Sequence, residues 1–145
     1  MKREEQALEI FKNGFNCAQS VFVVFAKEHG LDEATAFKIA GGFGSGMGRL
    51  QETCGAVAGA FMAIGLQNGK TLGDEGTEKR DKTYALVREF NTTFKEKFSA
   101  TTCRNLLQCD LTTPEGIKYF ADNNLHDKVC VQCVQEAVRI VEKIL

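Results

Sequence analysis

Apolar residues recur at three- and four-residue steps along most of the chain, which is the spacing of amphipathic helices. In the first third, this pattern predicts helices over residues 3–13, from Cys17 to about His29, and from Glu33 to about Ala40. The segment VFVVFA at 21–26 is β-branched enough for a strand. We nevertheless predict a helix there, because no second strand-like run offers it a partner.

The same spacing continues through the second half of the chain. It predicts a long helix over 77–98, a short one from Cys103 to about Gln108, one starting at Thr113-Pro114, and a last one from Asp127 to Leu145. The long helix carries an apolar stripe that we interpret as core: Tyr84, Val87, Phe90, Phe94 and Phe98. Together these elements predict an all-α fold, a single domain over 1–145 built as a compact bundle of about six to eight helices.

A glycine- and alanine-rich run is predicted to be the buried central helix of this bundle. From Ala56 to Leu66 every residue is apolar or glycine. The run is shorter than the roughly 20 residues that cross a bilayer, so we expect no membrane insertion. Thr53 is predicted to cap this helix, with Cys54 at its first position. Gly55 and Gly59, four residues apart on one face, leave a groove for another backbone.

A glycine-rich loop precedes the central helix. It contains five glycines, Gly41, Gly42, Gly44, Gly46 and Gly48, and we expect no regular structure there because glycine reaches positive φ easily. The loop matches neither the phosphate-binding Gly-x-x-x-x-Gly-Lys motif nor the dinucleotide Gly-x-Gly-x-x-Gly motif. We predict that it admits a partner or substrate, with Gly44, Gly46 and Gly48 as candidate cofactor-binding residues.

Charge and composition change the expected class of partner. The chain has 18 basic and 19 acidic residues and no long basic stripe, which argues against nucleic acid. Its amino terminus is charged and lacks an apolar signal core, so we expect no export and a cytoplasmic location. In that reducing compartment, the six cysteines are more often buried, catalytic or metal-bound than permanently bridged.

Four cysteines occupy predicted helix starts: Cys17, Cys54, Cys103 and Cys130. The first three directly follow an Asn or Thr able to cap a helix, and the fourth lies in the first turn after Asp127. Unpaired amides at a helix start stabilise a thiolate and can lower its pKa below the usual value of about 8.5. The alternative is a structural helical module in which the cysteines are small, unreactive core residues.

Two chemistries use such a set of thiols. A dithiol–disulfide centre works through the thiolate, whereas four thiolates hold a zinc ion or an iron–sulfur cluster. The Cys130-Val-Gln-Cys133 segment is not a c-type haem site, because no histidine follows it. The residues leave a thiol–disulfide oxidoreductase and an electron-transfer or metal-holding protein both open.

Several motifs, in order, resemble the C_GCAxxG_C_C family of bacterial and archaeal proteins, which is described as redox-active chiefly for its cysteines. The matching pieces are Phe15-Asn-Cys-Ala-Gln19, Gly44-Ser-Gly-Met-Gly48, Cys54-Gly-Ala-Val-Ala-Gly59, Cys103-Arg-Asn-Leu-Leu107, Thr113-Pro-Glu-Gly116 and Cys130. Where members often have proline after the last cysteine, this chain has Val131.

The resemblance implies a site at the four family cysteines, as catalytic or metal-binding residues: Cys17, Cys54, Cys103 and Cys130. Cys109 and Cys133 are then extras. The implied cofactor is an iron–sulfur cluster or zinc, and a related module in split-Soret cytochromes, with its suspected iron–sulfur centre, favours the cluster. The expected partner is an unidentified redox protein, and a homodimer is compatible with the pattern.

Overall fold

The computed structural model describes all 145 residues and is all-helical, as predicted. Its eight regular helices are α1 (Arg3–Lys12), α2 (Cys17–Ala26), α3 (Glu33–Ala40), α4 (Gly55–Asn68), α5 (Glu78–Phe98), α6 (Cys103–Leu107), α7 (Pro114–Asp122) and α8 (Val131–Ile144). A 3-10 turn, Lys27–His29, extends α2, and a π-helical turn, His126–Cys130, leads into α8. No strand forms, and the only β pairing is an isolated bridge between Thr53 and Thr102.

Helix α4 is the buried centre of the bundle, and it packs most closely against α2. A Cβ atom added to Gly59 would lie 2.7 Å from the carbonyl oxygen of Ala18 and 3.1 Å from Cβ of Val21. The predicted backbone approach at the glycine face is therefore confirmed. None of the helices combines the length and the apolar character needed to span a bilayer.

Helices α1, α5 and α8 complete the core around α2 and α4. Phe90 and Phe94 of α5 are fully buried, with ring centroids 5.7 Å apart. Tyr84, predicted to be in the same apolar stripe, is 55% exposed. The stripe therefore begins after Tyr84: Val87 is partly buried against the core, and Phe90 is the first fully buried residue of α5.

Local capping accounts for several helix starts. The Asn16 side chain accepts a hydrogen bond from the Gln19 amide (2.8 Å), and the Gln19 side chain accepts one from the Asn16 amide (3.0 Å). This reciprocal capping box fixes the start of α2 immediately before Cys17. Thr102 caps α6 and Thr113 caps α7, as predicted.

One predicted helix start is wrong, and another differs in the type of helix. Thr53 does not cap α4, because it is extended and pairs with Thr102; Cys54 is itself the N-cap residue, and the helix begins one residue later. Helical structure begins near Asp127, as predicted, but its first turn is π-helical. Asp127 lies inside the π-helical turn, with its carboxylate oxygen 3.1 Å from Nδ1 of His126, and α8 begins only at Val131.

Candidate functional site

A small cavity beside the start of α4 is walled by cysteines and apolar side chains. Its volume is about 20 Å³, and its lining consists of Cys17, Cys54, Cys130 and Cys133 together with Leu106, Leu107 and Val129. All of these cysteines are free thiols. The structure thus brings together three of the four predicted site residues, and Cys133 is the fourth cysteine of the cavity wall.

Cys103 is the predicted site residue that does not line the cavity. It is buried, and it lines a larger groove of about 430 Å³ on the outer side of the same region. Cys17 and Cys130 line this outer groove as well as the cavity. These two half-buried thiols therefore stand between the groove and the innermost cysteines.

The backbone holds Cys54 and Cys103 side by side. The Cys54 amide donates to the carbonyl of Thr101 (2.8 Å), and the Cys103 amide donates to the carbonyl of Glu52 (2.7 Å). These two bonds flank the isolated bridge and join the start of α4 to the start of α6. The pairing explains why two helix-start cysteines far apart in sequence belong to one site.

Gly55 makes room for the sulfur of Cys17. A Cβ atom added to Gly55 would lie only 2.3 Å from the Sγ atom of Cys17 and 2.8 Å from the carbonyl oxygen of Phe43. Only glycine leaves enough space there for the thiol at the start of α2 to pack against the start of α4. The glycine after Cys54 is thus required by the site.

The glycine-rich loop is more regular than predicted, because part of it forms a short helical turn with left-handed residues. Over Gly44–Met47 it forms a short helical turn in which Ser45 (φ 53°, ψ 41°) and Gly46 (φ 69°, ψ 52°) are left-handed. Met47 and Arg49 also have positive φ, 69° and 70°. Each non-glycine residue held this way costs about 1–2 kcal/mol, so the surrounding structure must stabilise the turn.

Close packing explains two of the loop glycines. A Cβ atom on Gly44 would lie 2.5 Å from Cβ of Asn16, and one on Gly46 would lie 2.8 Å from Cβ of Cys103. These contacts press the left-handed turn onto the helix starts that carry the cysteines. A cofactor-binding role for Gly44, Gly46 and Gly48 stays a prediction.

A buried polar residue that the sequence pattern does not mark, Gln51, supports the site. Gln51 is 3% exposed; its side-chain amide donates to the carbonyl of Cys109 (2.8 Å), and its side-chain oxygen accepts from the amide of Leu111 (2.7 Å). Its interaction with Cys103 also favours that thiolate, although burial outweighs it. No local pattern marks Gln51, because both partners lie far along the chain.

Ionisation is concentrated on Cys54. A hydrogen bond from the Cys133 thiol lowers the pKa of Cys54, and the amides of Val57 and Ala56 at the helix start act in the same direction against burial. The same interaction with Cys54 raises the pKa of Cys133. Within this pair Cys54 therefore loses its proton before Cys133 does.

The other predicted site cysteines have raised pKa values, contrary to what their helix-start positions alone suggest. Burial, reinforced by the nearby Cys54 charge, raises the pKa of Cys17 to about 11 and that of Cys103 to about 12. Burial also raises the pKa of Cys130. Favourable helix-start amides are outweighed here, because the thiols share one apolar region in which a single negative charge opposes further ionisation.

The expected cofactors fit the donor chemistry of the cavity but not its geometry. Thiols are the ligands that zinc and iron–sulfur clusters use. However, no group of three or more Cys, His, Asp or Glu side chains is placed to hold a metal ion. The cavity of about 20 Å³ is also close to the size of one water molecule rather than of a cluster. The residues as arranged do not fit either group, and both cofactors stay predictions.

Cys133 was predicted to be an extra cysteine, and its place in the cavity went unrecognised. The Cys130-x-x-Cys133 spacing carried a usable signal, because residues three apart lie on one face of a helix. The π-helical turn ends at Cys130 and α8 begins at the next residue, and both cysteines line the cavity.

Fold and site together define an all-helical protein with a buried cluster of free thiols beside its central helix. The family model described as "Putative redox-active protein (C_GCAxxG_C_C)" matches residues 15–144. The chain therefore belongs to this family, as its motifs predicted. No curated protein and no solved structure matches the chain.

Proposed function

We propose that the protein is a thiol–disulfide redox protein whose reacting pair is Cys17 and Cys54. The observation that carries this proposal is that two neighbouring thiols differ in burial and in pKa. Cys54 is buried and has a lowered pKa. Cys17 packs against the next residue, Gly55, and lines both the inner cavity and the outer groove. A reactant in the groove thus reaches Cys17, and Cys17 reaches Cys54.

Electrostatic coupling supports the same pair. The charge of Cys54 is the largest contribution after burial to the raised pKa of Cys17. Such coupling requires the two sulfurs to lie close together in a region of low dielectric. Cys133, which also contacts Cys54, does not line the groove and serves as the hydrogen-bond donor to the Cys54 thiolate.

The oxidised form of the pair is a Cys17–Cys54 disulfide. The thiolate of an external thiol in the groove attacks Sγ of Cys17, and the bond between the two cysteines breaks. The electron pair leaves on Cys54, which becomes a thiolate. A second external thiol attacks the outer sulfur of the mixed disulfide, releasing an external disulfide and the Cys17 thiolate, which takes a proton. Two thiols are oxidised to one disulfide, and the protein pair is reduced.

The environment of Cys54 favours this direction of attack. A thiol of low pKa is the better leaving group in disulfide exchange. The amides of Ala56 and Val57 and the Cys133 thiol stabilise the departing thiolate. Stabilising the reduced form makes a disulfide more oxidising. The same steps in reverse, with an external disulfide as the oxidant, regenerate the Cys17–Cys54 bond.

Thiol oxidation under turnover tests the proposal. The oxidised protein is mixed with excess small thiol and a disulfide oxidant, and formation of the new disulfide is followed for wild type and serine variants. Cys17→Ser and Cys54→Ser should each abolish catalysed exchange, whereas Cys109→Ser, outside the cavity and groove, should keep the wild-type rate. Equal activity in all three variants would overturn the assignment of Cys17 and Cys54 as the reacting pair, and no activity in the wild type would favour unreactive core cysteines.

A further inference from the structure

The outer groove has the size and lining of a small-molecule site. Its volume of about 430 Å³ lies within the range of about 300–1,000 Å³ that is usual for ligand pockets. Most of its lining residues are apolar, and the exposed side chains of Phe15 and Ile117 are among them. Three thiols, Cys17, Cys103 and Cys130, lie along the groove. A ligand of moderate size with an apolar body would therefore lie against sulfur atoms.

The lining of the groove contains basic side chains and no carboxylate. Among its lining residues, only Arg49 and His126 carry basic side chains, and no carboxylate is present. His126 is already engaged, since its ring stacks on Phe11 with centroids 4.4 Å apart and its Nδ1 faces Asp127. Arg49 makes no ion pair and no side-chain hydrogen bond within the protein. A solvent-exposed cation without a protein partner, in a groove that is mostly apolar and holds no carboxylate, favours an anionic ligand group.

The position of Arg49 depends on the left-handed turn. Arg49 has a φ of 70°, and its amide donates to the carbonyl of Gly44 at 3.4 Å. Ser45, in the same turn, also lines the groove, and its amide interacts with the Cys17 sulfur. One strained segment therefore carries both a contact to the groove-facing thiol and the groove's unpaired cation. Strain of this kind concentrates at functional sites.

We infer that the groove binds a low-molecular-weight thiol, or its disulfide, that carries a carboxylate. Arg49 pairs with the carboxylate, the apolar walls cover the carbon chain, and the sulfur lies against Cys17. This inference rests on the proposed function for the exchange step, in which the bound thiol attacks Cys17 and leaves as a disulfide. The reactant of that step is thereby specified as a small anionic thiol rather than a cationic thiol.

Binding of an unreactive carbon analogue tests the groove separately from the sulfur chemistry. Suberate has the length and charges of 3,3′-dithiodipropionate with methylenes in place of the disulfide. It should shift the amide NMR signals of Ser45 and Arg49 saturably, and 1,8-diaminooctane should not. Arg49→Gln should weaken suberate binding about tenfold, the value of one charge-assisted contact. Arg88→Gln, on the exposed face of α5, is the matched control and should bind as wild type. No saturable shift, or equal binding by both arginine variants, would overturn the inference.

Exchange rates give the second test. Reduced protein is oxidised by 3,3′-dithiodipropionate or by the cationic disulfide cystamine, each rate being normalised to that of a free thiol in solution. The anionic reagent should react about tenfold faster with wild type, and Arg49→Gln should remove this preference. If the Cys17–Cys54 disulfide forms at equal normalised rates with both reagents, the inference fails and the proposed function stands. If neither reagent oxidises the pair, the proposed function fails, and with it the assignment of a thiol as ligand.

Discussion

The sulfur of Cys17 lies against Gly55, at the point where a Cβ atom would come within 2.3 Å of it. This contact joins the first turn of α2 to the first turn of the central helix, and it places the groove-facing thiol beside the residue that follows Cys54. Cys54 and Gly55 at the start of α4 therefore supply a thiol of lowered pKa and the space that the Cys17 sulfur occupies.

Replacing this glycine is the first test. Gly55→Ala should displace the Cys17 sulfur and destabilise the reduced protein by about 1–3 kcal/mol, the usual cost of overpacking a core. Gly65→Ala, on the same helix with nothing within 4 Å of the added atom, should be neutral or stabilise by up to about 1 kcal/mol. Urea denaturation under reducing conditions measures both changes. Equal effects of the two substitutions would contradict the packing account.

The ionisation of Cys54 gives a pH-dependent prediction. Because its pKa is lowered in the folded protein, its contribution to the free energy of unfolding should be complete above the ordinary thiol pKa of about 9.0. That contribution should be lost as the pH falls through the lowered pKa. Comparing the unfolding of wild type and Cys54→Ala at several pH values measures this contribution together with its coupling to the other thiols, whose raised pKa values act in the opposite direction.

The hydrogen bond from the Cys133 thiol leads to a second prediction about the ionisation of Cys54. Ultraviolet thiolate absorbance of the reduced protein should show one thiol that ionises below the usual range. Cys133→Ala should move that titration upward, because it removes the hydrogen bond that lowers the pKa of Cys54 most. Cys109→Ala should leave it in place. A low titration that is insensitive to Cys133 would show that the helix-start amides alone stabilise the thiolate.

The buried side chain of Gln51 predicts a stability effect at a residue without reactive chemistry. Gln51→Leu leaves the carbonyl of Cys109 and the amide of Leu111 without their partner, which should cost about 1–3 kcal/mol. Gln67→Leu, at an exposed position of α4, should change the free energy of unfolding by less than about 0.5 kcal/mol. Similar values for the two variants, measured by urea denaturation, would contradict the structural role of Gln51.

The fold was predictable because its determinants are local. Apolar spacing located the helices, and the short-range caps at Asn16, Thr102 and Thr113 fixed three of their starts. The cap predicted at Thr53 was wrong for a non-local reason, since the bridge to Thr102 keeps that residue extended. The cytoplasmic location, the redox partner, the single-domain organisation and a homodimer stay predictions.

The site was predictable in part. Helix-start positions and the family pattern point to Cys17, Cys54 and Cys130, and these three residues line one cavity. The wall of that cavity also includes Cys133, whereas Cys103 lines the groove. The low pKa is confined to Cys54, because burial of neighbouring thiols is a tertiary effect that capping residues do not report. The left-handed conformation of the glycine-rich turn could not be predicted from the sequence either, because glycine adopts positive and negative φ about equally readily.

Colour distinguishes the proposed chemistry from a metal centre. Protein purified without oxygen should be colourless and free of stoichiometric metal, with its thiols titratable, because the cysteines as arranged do not form a metal site. Visible absorbance with iron and sulfide would require the cavity to rearrange around a cluster. Stoichiometric zinc in a colourless protein would instead indicate a structural ion.

The most direct measurement identifies the disulfide that forms when a small disulfide oxidises the reduced protein. The remaining thiols are blocked after oxidation, and the linked peptides are identified by mass spectrometry. The account predicts a bond between Cys17 and Cys54, with Cys133 recovered as a blocked thiol. It also predicts that this bond is absent from Cys54→Ser and present in Cys109→Ser. A bond between any other two cysteines as the major product, or full recovery of six unbridged thiols, would contradict the assignment.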